Sequence, residues 1–292
     1  MMKDFIIATA STADLTREYL DEHDVPFISY SYTIGDDLYE DDCREETRQA
    51  TYEKMRQGAI LTTSAINTFS YHEFFEPYVK EGKNIIFLDM CRPLSSSYRF
   101  CDEAIEELKE EYPNTTIVNV DTCCVSGGLG MLVKHVVDLY EHDKSFDEIL
   151  KWIEDNKLRI AHRFTVDDLN WLKRGGRVSN ASALVGTLLS IKPVLYVPDA
   201  GTLDVVAKIR GRKNALNSII EAIKKDVPEG SAIEFNINHA DCLDDAEYVR
   251  DVLLKTYPDA TITITGLGVV IGAHCGPGLF TIFYMTDKRT PQ

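Results

Sequence analysis

Long apolar runs are missing from this chain of 292 residues: nothing in it approaches the ~18–20 residues that a membrane-spanning helix needs. Its start, Met1-Met-Lys-Asp-Phe-Ile-Ile, runs straight into a strand-like segment that Asp14 soon interrupts, so no leader peptide is expected. Positive charge is scarce as well. Lys and Arg number 31 against 47 Asp and Glu, a formal net charge of −16. Such a field repels phosphate backbones and anionic lipid surfaces, so neither nucleic acid nor integral membrane association is expected; a basic protein partner stays open beside simple solubility. The seven cysteines hold no C-x-x-C pair, only the neighbours Cys123 and Cys124, and no spacing that suits zinc. Reduced thiols and a cytoplasmic location are the expectation. The seven histidines form no H-E-x-x-H or comparable ligand set, and neither G-x-G-x-x-G nor G-x-x-x-x-G-K-[ST] occurs. No metal and no cofactor is expected.

What is present has a clear order. Through the first half, short apolar runs alternate with helical patterns: strands at 5–8, 25–34, 84–88 and 115–120, helices at 13–23, 45–57, 69–81 (with Pro77 as a possible disturbance), 97–111 and 127–141. Alternation of that kind predicts a parallel sheet covered on both faces. The second half reads differently. A strand at 157–164 and a short helix ending at Gly175-Gly176 precede an apolar helical segment at 181–190. A hairpin then follows from 193–197 to 203–209 around Asp199-Ala-Gly201. Helices at 214–225 and 243–257 and strands at 232–239 and 261–265 complete a mixed α+β pattern. The fold class predicted is α/β in two domains, an N-terminal parallel-sheet α/β domain at 1–155 and a C-terminal mixed α+β domain at 156–292, with a ligand between them.

Glycine is concentrated in one place. Positions 266, 268, 272, 276 and 278 surround His274, between strand-like runs at 261–265 and 279–284. Two readings are open: a tight hairpin with an incidental histidine, or a binding loop that aims His274 into a cleft.

Hydroxyl clusters follow the first-half strands. They are Thr9-Ala-Ser11-Thr12, Leu61-Thr62-Thr63-Ser64, Asp89-Met-Cys91-Arg92-Pro93-Leu94-Ser95-Ser96-Ser97 and Asp121-Thr122-Cys123-Cys124-Val125-Ser126-Gly127-Gly128, each ahead of a helix. One reading makes them ordinary N-caps. The other makes them a neutral cradle for an anion at the carboxyl ends of the strands, where helix N-termini offer free N–H donors. With Arg92 the only base among these loops, a carboxylate suits them better than a phosphate. The apolar stretch 181–191 is either core or the wall of a tunnel for an acyl chain.

These residues bring the chain to a known family. Leu172-Lys-Arg-Gly-Gly-Arg-Val-Ser179, Ala183-Leu-Val-Gly186, Ile191-Lys-Pro-Val194, Lys208-Ile-Arg-Gly-Arg-Lys213, Thr12-Ala-Asp-Leu15 and His274-Cys-Gly-Pro-Gly278 occur in the order of the DegV family. The chain resembles that family over essentially its whole length. The resemblance implies two α/β domains with a long-chain fatty acid buried between them, and a non-catalytic carrier that presents the acyl carboxylate to a separate ATP-dependent fatty acid kinase. It also implies head-group residues: Thr63 in the threonine role, Ser95 in the serine role with the amide of Ser96 beside it, and His274. The chain departs from the family pattern at Ala65-Ile66, at Cys91-Arg92-Pro93 and at Ala10, which bears on chain-length preference and kinase docking. Lys173, Arg174 and Arg177 are either part of a kinase-docking patch or a solvated helix end.

Two other function classes are weighed. An acyl hydrolase or transferase would use Ser95 or Cys275 with His274, but no G-x-S-x-G elbow is present. A phosphotransferase subunit resembling the substrate-binding part of dihydroxyacetone kinases would hold a carbonyl substrate on the histidine and leave the apolar segments as core.

Overall fold

A computed structural model of the chain describes residues 3–177 and 190–289. The expected apolar segment at 181–190 therefore lies almost wholly outside the described residues. The first half contains, in order, β1 (Phe5–Ala10), α1 (Arg17–Glu22), β2 (Phe27–Ile28), β3 (Ser31–Ile34), β4 (Asp37–Glu40), α2 (Glu45–Arg56), β5 (Leu61–Thr63), α3 (Thr68–Lys80), β6 (Asn84–Asp89), α4 (Ser97–Glu111), β7 (Ile117–Asp121), α5 (Gly127–Glu141) and α6 (Phe146–Asn156). Strands β2, β1, β6 and β7 pair in that order in an all-parallel sheet. Their near-continuous apolar runs, such as Phe5-Ile-Ile-Ala and Ile85-Ile-Phe-Leu, suit a sheet buried on both faces.

The expected strand at 25–34 is in fact broken. After Ile28 the chain leaves the parallel sheet, and β3 begins a small antiparallel sheet of order β4-β3-β5. The segment read as a loop around Thr63 is the edge strand of that sheet, with Thr63 opposite Tyr32. Helix α3 runs on through Pro77 to Lys80, its buried face of Tyr71, Phe75 and Val79 outweighing the one lost backbone bond. The helix α6 was not foreseen. It opens on a complete capping box between Ser145 and Glu148.

The second half contains β8 (Ile160–Thr165), α7 (Leu169–Gly175), β9 (Ile191–Tyr196), β10 (Asp204–Arg210), α8 (Arg212–Asp226), β11 (Glu234–His239), α9 (Leu243–Thr256), β12 (Thr261–Gly266), α10 (Val269–Cys275) and β13 (Phe280–Met285). The sheet order is β10-β9-β8-β13-β11-β12, with β11 and β12 alone parallel. Helices α8 and α9 cover one face, burying Leu216, Ile219, Val249 and Leu253 against Phe235, Ile237 and Ile282.

Helix α5 lies between the two large sheets. It packs on β1 and β6 on one side and on β8, β11 and β13 on the other. Leu129, Met131, Leu132, Val133, Val136 and Val137 are all buried, while Lys134 and His135 are half-buried and Asp138 and Glu141 are exposed. A single hydrophobic core runs from the parallel sheet through α5 to the near face of the mixed sheet. The architecture is thus a parallel-sheet α/β layer joined to a mixed-sheet layer.

Candidate functional site

The glycine-rich stretch around His274 is a helix, α10, and not the loop or hairpin that glycine content predicts. Its glycines serve close packing. A Cβ at Gly268 would collide with the Asp14 carboxylate, one at Gly272 with the Tyr52 hydroxyl, and one at Gly276 with the Trp171 ring. Tyr52 on α2 donates to the carbonyls of Leu267 and Gly268, 3.1 and 3.3 Å away, where α10 begins. Beneath that point Arg48 is buried, its guanidinium bonded to the Gly266 carbonyl from one half of the chain and the Leu15 carbonyl from the other, 2.8 Å each. Asp14 is buried beside it and accepts a short bond from the Ser126 hydroxyl. Burial pushes its carboxyl up to about 7 against the opposing pull of Arg48 and Ser126.

So anchored, α10 holds His274 against three neighbours. Thr63 Oγ1, at the end of β5, lies 2.8 Å from Nε2. Arg177 Nη1 lies 3.4 Å from Nδ1 and 2.6 Å from the Gly175 carbonyl, and Arg177 Nε donates to the Leu94 carbonyl at 3.2 Å. At Gly175 a Cβ would come within 2.7 Å of Nδ1, so only glycine lets the end of α7 abut the ring. Burial, helped by the Arg177 charge, lowers the imidazole to about 4, and the ring is neutral at pH 7.

Ser95 sits between a short 3-10 turn (Arg92–Leu94) and α4. Its Oγ accepts from the Ser97 amide at 3.2 Å, and lies 3.0 Å from Ser97 Oγ and 3.4 Å from Tyr30 Oη. Tyr30 in turn donates to Asp89 at 2.8 Å. Asp89 ends β6 fully inside the protein, where it also receives Thr12, Tyr71 and the Met90 amide. Burial raises its carboxyl pKa, and these four donors hold the rise in check. Ser96 is exposed at the start of α4.

Thr63, Ser95, Ser96 and His274 therefore all line one cavity, whose empty volume of about 880 Å³ includes the space open to solvent. Met90, Leu94 and Val125 line it from the first half of the chain, and Phe164, Leu172, Val197, Leu203, Leu279 and Phe283 from the second. Arg177 is the one ionised side chain among its described lining residues, and none of them is acidic. Thr63, His274 and Arg177 also border a second cleft of about 560 Å³, on which Ile60, Trp171 and Arg174 lie.

The other hydroxyl loops serve the fold. Thr9 donates to the Leu88 carbonyl, Ser11 accepts from the Tyr30 amide, Thr12 donates to Asp89, and Thr122 donates to the Asp89 carbonyl. Sequence reasoning missed Tyr30, His162 and Thr281 as lining residues, and read Arg177 as part of a docking patch or a solvated helix end without foreseeing that it reaches the histidine. The stretch 181–191, read as either core or tunnel wall, lies almost wholly outside the described residues, and the described wall is assembled from single residues of many elements. Arg177 carried a signal, a base directly after two glycines in a basic stretch; the others carried none.

The chain has counterparts along its whole length. The family described as "Uncharacterised protein, DegV family" matches residues 4–287. A DegV domain-containing protein from Clostridium perfringens is 40% identical over 291 residues, covering 99% of this chain and 100% of the relative. A fatty acid binding DegV family protein from Streptococcus agalactiae, of known structure, is 28% identical with a TM-score of 0.83, covering 99% of this chain and 100% of its own. A structure describing fatty acid binding by a DegV family protein from Thermus thermophilus is 26% identical with a TM-score of 0.86, covering 97% and 100%.

Proposed function

This chain belongs to the DegV family, and on that premise we propose that it is a non-catalytic carrier that binds a long-chain fatty acid in the cavity between its two halves and presents the carboxylate to a separate fatty acid kinase. The observation that carries this reading is the polarity of the cavity. Its lining includes Thr63, Ser95, Ser96, His274 and Arg177, with no acidic side chain to oppose a carboxylate, and most of the other lining residues are aliphatic or aromatic.

The carboxylate accepts from Thr63, Ser95 and the Ser96 amide. Thr63 Oγ1 and His274 Nε2 are within hydrogen-bond reach of each other; with the ring proton on Nε2 the histidine would donate to Thr63 and leave the Thr63 hydroxyl proton for the ligand. Charge-assisted bonds of this kind contribute ~1.5–3 kcal/mol each. The acyl chain adds ~0.8 kcal/mol for each CH₂ buried.

Several features support the carrier role over turnover. The pair Thr63–His274 has the spacing of a nucleophile and base, but Nδ1 faces a cation where a triad needs a carboxylate, and the ring's basicity is lowered. Burial pushes the Cys275 thiol up to about 12, so it is protonated at neutral pH. Ser95 has Tyr30 and Ser97 as partners and no base. A small carbonyl substrate, as in the dihydroxyacetone-kinase reading, has no use for so large an apolar wall. Presentation to a kinase is supported by the exposure of Ser64, Ala65 and Ser96 at the head end and by the adjoining cleft with Arg174. The division into domains at 155/156 belongs to the same proposal, as does a cytoplasmic location, with which seven free cysteines agree. No described helix is long and apolar enough to cross a membrane.

Solvent extraction of natively purified protein followed by mass spectrometry tests the reading. A near-stoichiometric fatty acid is expected. A lipid-free protein that also fails to take up added palmitate would overturn it.

A further inference from the structure

Four polar side chains in the cavity lining are more than nine-tenths buried: Tyr30, Ser126, His162 and Thr281. Three have partners. Tyr30 donates to Asp89, Ser126 to Asp14, and His162 accepts from the Val125 amide at 3.2 Å while its other nitrogen lies 2.9 Å from the Ile160 carbonyl. Thr281 has none among the described residues, although it is only 4% exposed. Its hydroxyl oxygen is absent from the fully enclosed unpaired atoms, so the surface it retains is surface of the cavity it lines.

Thr281 lies in the middle of β13, opposite Phe164 on β8 and Asn238 on β11, and it alternates with the lining residues Leu279 and Phe283. Asn236 and Asn238 on β11 are also buried, and their side-chain oxygens have no partner among the described residues; unlike them, Thr281 lines the cavity. A plain hydrocarbon chain laid against the hydroxyl displaces water from it and offers nothing in return, which is unfavourable for a buried donor and acceptor.

We infer that Thr281 is a second, mid-chain recognition point of this cavity, and that the preferred ligand is a fatty acid carrying an oxygen along its chain, a hydroxy fatty acid. This rests on the fatty-acid reading above and narrows its substrate class. The threonine hydroxyl both donates and accepts, so it pairs with a ligand hydroxyl in either sense. A site built to bond a ligand hydroxyl discriminates against the analogue that lacks it, because the protein group is then left unpaired. Thr281→Val keeps the β-branched shape and removes only the oxygen.

The experiment is a competition titration of delipidated protein with stearate and with a series of monohydroxystearates that differ in hydroxyl position, in the wild type and in Thr281→Val. In the wild type one position, or two neighbouring ones, is expected to bind about ten-fold more tightly than stearate, the size of one buried hydrogen bond. The variant is expected to lose that preference and to bind stearate at least as well as the wild type does. Equal binding of the whole series by the wild type, or a preference that survives in Thr281→Val, overturns the inference and leaves the fatty-acid reading standing. Failure of stearate and every hydroxystearate to bind the wild type overturns both. Circular dichroism and the melting temperature of the variant establish that it is folded.

Discussion

The hydroxyl of Thr63 and Nε2 of His274 lie 2.8 Å apart although 211 positions separate them in the chain. The first comes from the edge strand of a small antiparallel sheet, the second from a seven-residue helix beside the mixed sheet. Thr63→Val keeps the shape and removes the oxygen. Fatty acid binding is expected to weaken about ten-fold or more, in line with ~1.5–3 kcal/mol for a charge-assisted bond, with little change in melting temperature. Ser95→Ala is expected to behave alike. Wild-type affinity in both variants, measured by calorimetric titration, would sink the head-group assignment.

Tyr30 joins Ser95 to the buried carboxylate of Asp89. Tyr30→Phe deprives Asp89 of one of four donors and Ser95 of a neighbour that fixes its rotamer. We expect a loss of ~1–2 kcal/mol in unfolding free energy and a weaker head-group interaction than in the wild type. Urea titration and ligand titration check the two effects separately. An unchanged affinity would show that Ser97 alone orients Ser95.

Two buried groups give stability opposite pH dependences. His274 is lowered from 6.5 to about 4, so between those values the unfolded chain takes a proton that the folded one refuses, and stability falls as pH falls. Asp14 is raised from 3.8 to about 7, so its folded form keeps a proton that the unfolded chain has lost; that contribution is complete below 3.8 and is lost as pH rises through 7. Relative to wild type, His274→Gln should gain stability as pH falls from 6.5 to 4, and Asp14→Asn should gain as pH rises from 4 to 8. Denaturant unfolding across that range is the measurement. Differences independent of pH would contradict both assignments.

Filling the cavity should shorten the ligand. Leu203 is buried in the wall, and Leu203→Trp adds bulk where an acyl chain would lie. The lipid recovered by mass spectrometry from this variant is expected to be shorter than that from the wild type, or missing, while Thr63 and Ser95 remain intact. The same chain length in both proteins would mean that the acyl chain does not pass Leu203.

Helices α4 and α5 were legible in the sequence to the residue, because each has an amphipathic period that follows a serine. Strand β5 was not, since three residues give no period, and its pairing with β3 depends on a sheet that local sequence does not announce. Helix α10 was read as a loop because glycine ordinarily marks turns. Here Gly268 and Gly272 make room for the side chains of Asp14 and Tyr52, which come from the other half of the chain. The residues proposed to hold the head group were named through a family likeness carried by short motifs. The apolar wall was not visible, since it is built from isolated residues whose common address exists only after folding.

Helix α5 begins with glycine at 127, 128 and 130, and each lies against a group that even a methyl would strike: Asn238, the ring of His162, and the Ala13 carbonyl. Intrinsic helix propensity is forfeited there, by ~1 kcal/mol per glycine relative to alanine. The return is that backbone, the thinnest material a protein has, forms the partition between the two sheets at that point. The seam therefore has a fixed gauge. A single added carbon acts as a spacer driven into it, and one of the groups it would strike, the ring of His162, is itself part of the cavity wall.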